Sequence, residues 1–390
     1  MSLARSPRVA VLVDTSTGWG RRLIRGINSY AQQFGPWHVW VEARGQEEIL
    51  RLPPGWHGDG VIARVSTYSM ARHLAEAGTR VVNISSIELK GVNFPCVTND
   101  MQASSALAMQ HFLDLGFRNF AYCGLPQRSY VANQYRTFAG ALEKVGFKCH
   151  AFRAPGVVKR RQKWVTQQAA LSAWLKELPK PVAILTWGVH VGRAVVVACG
   201  SAGLLVPEEV AVLCGDDDDL LCESCYPPMS GTVVAAKEIG YQAASLLAGL
   251  MKGASAPRQP VLVAPTGISM RQSTNTLAIN DSEVSQAVRF IRDHCAQPIQ
   301  VSDILKNVPV SRRTLERKFE LFLGRTPASE IRRAHLQRAR ELLANTGASI
   351  QQVAESCGFG SPEYLSVAFR REFKTTPLKY RLKLRGTGAR

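Results

Sequence analysis

The 390-residue sequence predicts two doubly wound α/β lobes followed by an all-α domain with two helix-turn-helix units. Three observations lead to that fold class. Apolar runs of strand length alternate with amphipathic helical stretches from Arg8 to Ser273, the pattern of parallel strands joined by crossovers. Between Val301 and Tyr380 one layout occurs twice: a short amphipathic helix, a tight turn, a Ser and a second, charged helix, with Ser311 and Ser361 standing 50 positions apart. Charge divides in the same way. Residues 281–390 hold 20 Lys and Arg against 11 Asp and Glu, a net +9 of the chain's +18, so this quarter of the chain is far more basic per residue, as a phosphate-binding module requires.

In chain order, Arg8–Asp14 (RVAVLVD) is a buried parallel strand, Thr15–Gly20 a loop, and Arg21–Phe34 a helix with Leu23, Ile24, Ile27 and Tyr30 inside. Strands follow at His38–Ala43, Gly58–Ala63 and Arg80–Ser85, with a helix at Ala71–Ala77. A second half begins near Pro95. It has helices at Met101–Leu115, Gln134–Val145, Trp164–Glu177, His190–Ala202 and Ile239–Met251. Its strands are Asn119–Gly124, Pro181–Trp187, Val210–Cys214 and Val261–Ala264, with a return crossing at Ile268–Ser273. The domains are expected at 8–275 and 283–382, with the polar stretch 276–282 as linker.

In the second helical repeat, Ile350, Val353 and Ala354 form one apolar face, and Gly358 suits a left-handed turn. Ser361 is placed to cap the next helix, with Pro362 at its first position. Leu365 and Phe369 point inward, which leaves Pro362, Glu363, Ser366, Val367 and Arg370 outside. In the first repeat Leu315, Phe319 and Phe322 are the buried stripe, opposite Arg313, Glu316, Arg317 and Glu320. Ala328–Leu343 is one connecting helix, long enough to space two recognition helices for successive major grooves. The candidate DNA-contacting residues are Arg312, Arg313, Thr314, Glu316 and Arg317 in the first repeat, and Ser361, Pro362, Glu363, Ser366, Val367 and Arg370 in the second. Arg340, on the connector, is expected to touch at most a phosphate.

The run Ser349-Ile350, Val353-Ala354, Gly358-Phe359, Ser361, Tyr364-Leu365, Phe369-Arg370, Phe373-Lys374, Thr376-Pro377 and Tyr380-Arg381 resembles the DNA-binding domain of the AraC family of bacterial regulators. Two positions depart from it. Pro309 lies in the first turn, where Gly or a small polar residue is frequent, and proline cannot take positive φ. Val367 stands where relatives can carry an Arg to a base edge, so its contact is either apolar, as with a thymine methyl, or missing.

Residues 8–275 resemble the LacI-type, periplasmic-binding-protein-like effector domain through Gly58-Asp-Gly-Val-Ile62, Asn99-Asp100, His111-Phe112, Phe120–Gly124, Val212–Asp217, Gly240 and Ser269–Ser273. LacI relatives place their DNA-binding helices ahead of this domain, whereas here the reader follows it. A LacI-like effector domain ahead of an AraC-like pair resembles the bacterial regulators of xylose catabolism. That resemblance implies a D-xylose or related pentose effector, activation of catabolic genes, double-stranded operator DNA and RNA polymerase as partners, and a homodimer.

Ligands of such folds meet the carboxyl ends of the strands in the cleft. Asp14, Trp19, Arg64, Trp187 and Asp216 fall there, and Arg136, which opens a helix, matches an Arg of those regulators. Carboxylates and guanidinia hold vicinal hydroxyls through paired hydrogen bonds, and indoles stack on the C–H face of a sugar. Asp217–Asp219 read as solvated, or as partners of an Arg across the cleft; the two Trp fit core or dimer packing nearly as well as sugar stacking. Thr186-Trp187-Gly188 replaces an Asn-Asp pair frequent in LacI relatives, which leaves the sugar open.

No Walker loop, GxSxG, GxGxxG after a strand, or HExxH occurs, so no catalytic site, cofactor or metal is expected. The enzyme class weighed against a regulator is a repair alkyltransferase fused to an AraC-like domain, but Cys96 lacks the neighbouring His and Arg such a nucleophile needs. Nine scattered cysteines imply reduced thiols, and Cys222-Glu-Ser-Cys225 is a lone CxxC. The first residues carry too short an apolar run for a signal peptide, and no stretch reaches membrane length, so a cytoplasmic protein is expected.

Overall fold

The computed structural model describes residues 6–43, 50–124, 129–152, 163–276, 278 and 281–385. The first lobe opens with β1 (Arg8–Leu12), α1 (Gly18–Phe34), β2 (His38–Val41), β3 (Gly60–Ala63), α2 (Tyr68–Glu76), β4 (Arg80–Asn83) and β5 (Val97–Asn99). The chain then crosses into the second lobe for α3 (Met101–Asp114), β6 (Asn119–Cys123), α4 (Ser129–Glu143), β7 (Cys149–Ala151), α5 (Lys163–Glu177), β8 (Val182–Thr186), α6 (Val189–Ala202), β9 (Val210–Cys214), α7 (Asp219–Glu223) and β10 (Ser230–Val233). It returns to the first lobe for α8 (Ala236–Met251) and β11 (Val261–Val263), and crosses again for β12 (Gly267–Ser269).

Each lobe is built on its own sheet. The first has the parallel order β2-β1-β3-β4, with β11 pairing β5 beside it. The second has the order β12-β10-β9-β8-β6-β7, parallel except for β12 against β10. The central strands are almost wholly apolar (VAILT in β8, VAVLC in β9) because helices cover both faces. Every residue of both strands is buried. In the first lobe α1 packs on α8, and Gly26 sets their separation: a Cβ there would lie 1.9 Å from the Lys237 carbonyl oxygen.

Several boundaries differ from the sequence expectation. The loop placed at Thr15–Gly20 is shorter, since Thr17 caps α1 by accepting the Gly20 N–H and the helix starts at Gly18. Strands β5, β7 and β10 and the short α7 were not anticipated. They are three to five residues long and carry too few positions to show a period. Arg136 does not open a helix. It lies two turns inside α4, which begins at Ser129. The loop ahead of α4 lies in part at 125–128, outside the described residues, as do positions 277, 279 and 280 of the expected linker.

The all-α domain contains α9 (Ser282–Asp293), α10 (Val301–Asn307), α11 (Arg312–Leu323), α12 (Pro327–Asn345), α13 (Ile350–Glu355), α14 (Pro362–Phe373) and α15 (Pro377–Arg385). It has two cores. Val288, Ile304, Leu315, Phe319 and Ile331 make one; Leu336, Leu343, Val353, Leu365 and Phe369 make the other. The connector α12 supplies residues to both, so the two repeats are small domains sharing one helix. Hydroxyl caps fix where the helices start: Ser311 accepts the Thr314 N–H, Ser349 that of Gln352, and Ser361 that of Tyr364. The second turn uses Gly358 at φ 66°. The first has no left-handed residue, so Pro309 is accommodated by leaving α10 through Val308 in an extended conformation.

Candidate ligand cleft and nucleic-acid interface

The first lobe presents the ends of β1 and β3. Asp14 is buried, and its Oδ1 accepts both the backbone N–H (3.0 Å) and the hydroxyl (2.6 Å) of Ser16. This folds the loop that leads into α1. The half-buried Trp19 follows on the first turn of α1, and the Arg64 guanidinium lies 6.0 Å from its ring centroid, within cation–π range.

The second lobe presents the ends of β8 and β9. Trp187 donates its backbone N–H to the Cys123 carbonyl at 2.9 Å, and its ring packs against both cores of this lobe. Asp216 accepts the Val189 N–H at 2.8 Å. It therefore caps α6, whose own N-cap, Gly188, has no side chain to do so. Burial pushes the Asp216 carboxyl above the usual carboxylate range, against the pull of the Val189 N–H and with a like-charged Asp218 nearby.

The lobes meet at these loops. Gly18 donates its N–H to Asp218 Oδ2 at 2.8 Å, and Arg22 donates to the Asp217 carbonyl at 2.5 Å and lies 4.0 Å from Asp219. Asp217 and Asp218 are buried and hydrogen-bonded within the protein, not solvated: Asp217 pairs with Arg271 at 2.7 Å within its own lobe, and Asp218 also caps α7. Of the anticipated pairings with an Arg across the cleft, Asp219–Arg22 is the one seen among the described residues. The structure thus gathers Asp14, Trp19 and Arg64 on one side and Trp187 and Asp216 on the other. Arg136 is exposed on α4 and contacts none of them among the described residues. Gly18, Asp218 and Arg271 were missed as site residues. Their roles depend on partners 54 to 200 positions away, which no local pattern marks. A cavity of about 1070 Å³ bordered by Asn83, Asp100, Asn133 and Arg258 contains none of the six candidates.

On α11, Arg313 and Arg317 are exposed. Arg312 pairs with Glu316 at 3.0 Å, so Glu316 does not neutralise Arg313 or Arg317, and neither of these forms an ion pair among the described residues. Thr314 is tied into the cap through its hydroxyl, 2.8 Å from that of Ser311. On α14, Ser361 is the cap and Pro362 the first helical residue; Glu363, Val367 and Arg370 are exposed and Ser366 is half-buried. Val367 and Tyr364 place apolar surface, 66% and 56% exposed, on the outer side of α14. Arg340, expected to touch at most a phosphate, lies on the inner side of α12. It faces the second lobe, not solvent, with its guanidinium 5.4 Å from the Phe373 ring centroid and beside Gly267, so it is not placed to touch phosphate.

Comparison with known proteins agrees with this architecture. A periplasmic binding protein-like domain is recognised over residues 109–274 and a helix-turn-helix domain over 304–383. The chain is 28% identical over 381 residues to the xylose operon regulatory protein of Escherichia coli K12, covering 96% of each. It is 28% identical over 385 residues to the protein of that name from Haemophilus influenzae, covering 96% of this chain and 98% of that one. A solved structure described as the xylose-binding transcription activator xylR superposes with a TM-score of 0.63 at 26% identity, over 97% of this chain and 98% of the other. The regulator CcpA of Lactococcus lactis shares the effector fold, with a TM-score of 0.54 at 16% identity over 70% of this chain and 100% of its own.

Proposed function

We propose that the chain is a DNA-binding transcription regulator of the xylose operon type, that its effector is D-xylose or a related pentose and that it activates sugar-catabolic genes. The observation that carries the effector reading is the pair of half-sites closed by the Gly18–Asp218 hydrogen bond. Each half-site offers an indole, and together they offer carboxylates and a guanidinium, the groups that hold a polyhydroxylated ring. The names of the relatives favour the same sugar class. Pentose held between the lobes stabilises their closure, and closure moves the reading helices relative to one another on DNA.

In this reading residues 8–275 sense, 276–282 link and 283–382 read. The protein works as a cytoplasmic homodimer that recruits RNA polymerase. Its relatives are regulators, not enzymes. The Cys96 thiol also opposes a transfer reaction, since burial pushes it up to about 11 and keeps it un-ionised at neutral pH. No described helix is long and apolar enough to cross a membrane. Intrinsic tryptophan fluorescence titrated with a panel of pentoses and hexoses is the test. A saturable response to D-xylose or a near relative supports the assignment, a response to hexoses alone reassigns the effector, and silence toward every sugar removes it. Light scattering of the full chain tests the dimer.

A further inference from the structure

The DNA-reading domain is docked on the second lobe through a buried ionic cluster. Asp114, the last residue of α3, meets Arg325 at 3.2 Å and pairs with Arg333. Both guanidinia also bind Glu330, Arg325 at 2.5 Å and Arg333 at 2.9 Å. Glu330 is 1% exposed, and Arg292 of α9 borders the same space. Two arginines thus share two carboxylates, one of them from the effector lobe, with a third arginine alongside. Arg325 directly follows Gly324, the C-cap of α11, and Arg118 donates to the Phe322 carbonyl at 2.7 Å. The C-terminal end of the first recognition helix is therefore held by the effector lobe.

The other end of this arrangement reaches the acidic loop of the cleft. Asp217 pairs with Arg271 at 2.7 Å. The backbone N–H of Arg271 donates to Ser230 Oγ at 2.8 Å, and that hydroxyl lies 2.7 Å from Thr274 Oγ1. Thr274 Oγ1 in turn lies 3.2 Å from His111 Nε2, one turn before Asp114 on α3. The same helix is capped at its start by Asp100, where the chain crosses between the lobes. It is a rigid rod of 14 residues, roughly 21 Å long, from crossover to joint.

We propose that Asp114 is a positioning residue for DNA reading: it ties α11 to α3 and so couples the Asp217 loop to the pose of the first helix-turn-helix unit. The sugar-linked half of this proposal rests on the effector reading above; the docking half does not. Without the Asp114 charge, the partly buried Arg325 and Arg333 are left to share the one carboxylate of Glu330, with Arg292 close by, and repulsion opens the joint.

The test uses the full chain with Asp114→Asn, which keeps the side-chain shape, and Arg333→Gln as an independent break of the same cluster. Hydrogen–deuterium exchange should rise in the Phe322–Arg333 segment and stay unchanged in α13 and α14. Binding of operator DNA, measured by anisotropy with and without D-xylose, should lose its sugar dependence. A ratio of about fivefold or more in the parent should fall to within about twofold of unity. D-xylose affinity by fluorescence and affinity for scrambled DNA should not move, which separates positioning from general damage. The exchanged pair Asp114→Arg with Arg333→Asp should restore part of the coupling. Unchanged exchange and an unchanged ratio in folded variants overturn the proposal. A parent that ignores D-xylose refutes the effector reading, while the exchange data still decide the docking.

Discussion

The carboxylate of Asp218 accepts the backbone N–H of Gly18 at 2.8 Å, and the two residues belong to opposite lobes. Asp218 also caps α7 through the Leu221 N–H. One side chain therefore shapes its own loop and closes the cleft. Asp218→Ala should raise the apparent dissociation constant for the effector roughly tenfold, from loss of one charge-assisted hydrogen bond in the closed state. Loss of the cap should cost about 1 kcal/mol of stability. Fluorescence titration and thermal unfolding of the same variant separate the effects; full effector affinity would show that the latch does not govern closure.

Asp216 caps α6 and is the carboxylate proposed to hold the sugar, and its ionisation can be followed separately from ligand binding. Asp216→Ala should abolish the sugar response at a cost of about 2–5 kcal/mol of binding. Burial raises the Asp216 pKa in the fold, so the folded state holds its proton more tightly than the unfolded chain. This group's contribution to stability accordingly declines as pH rises from the ordinary carboxylate range through the raised folded pKa. Asp216→Asn keeps an acceptor for the Val189 N–H and cannot ionise. Its melting temperature relative to the parent should improve from acidic to neutral pH. A difference that does not vary with pH would mean that Asp216 has no raised pKa.

Arg313 and Arg317 stand one helical turn apart on the exposed face of α11, free of Glu316. A bidentate arginine–guanine contact is worth about 1–3 kcal/mol of base discrimination. Arg313→Ala or Arg317→Ala should weaken operator binding by about that amount and scrambled DNA far less. Equal losses on both DNAs in gel-shift titrations would reduce these residues to phosphate anchors. Arg340→Ala, facing the effector lobe, should leave scrambled-DNA affinity unchanged.

Gly358 holds φ 66° in the second turn, and a Cβ there would lie 2.3 Å from the Gln297 carbonyl oxygen. Gly358→Ala should cost more than the roughly 1–2 kcal/mol of a left-handed non-glycine residue, because the clash is with backbone. The loss should appear as rapid amide exchange in α13 and α14 while α10 and α11 stay protected, since the repeats have separate cores. Uniform loosening of both repeats would show that they melt as one unit.

The sequence by itself determined the two α/β lobes, the paired repeats, their buried stripes at Leu315, Phe319, Leu365 and Phe369, and the cap at Ser361. These features depend on residues three or four apart, whose spacing is a local property of helix geometry. Tertiary structure alone decided which polar groups meet. The sequence shows Asp114, Arg325 and Arg333 only as scattered charges, and Arg340 only as one more basic residue on a helix. Their buried pairing and the inward turn of Arg340 arise because the reading domain docks on the second lobe, bringing together side chains separated by 211 and 219 positions. Asp217 and Asp218 were legible as loop residues, but their hydrogen-bond partners were not. Their low exposure comes from Arg271 and Gly18, which the crossovers between the lobes bring to the same edge.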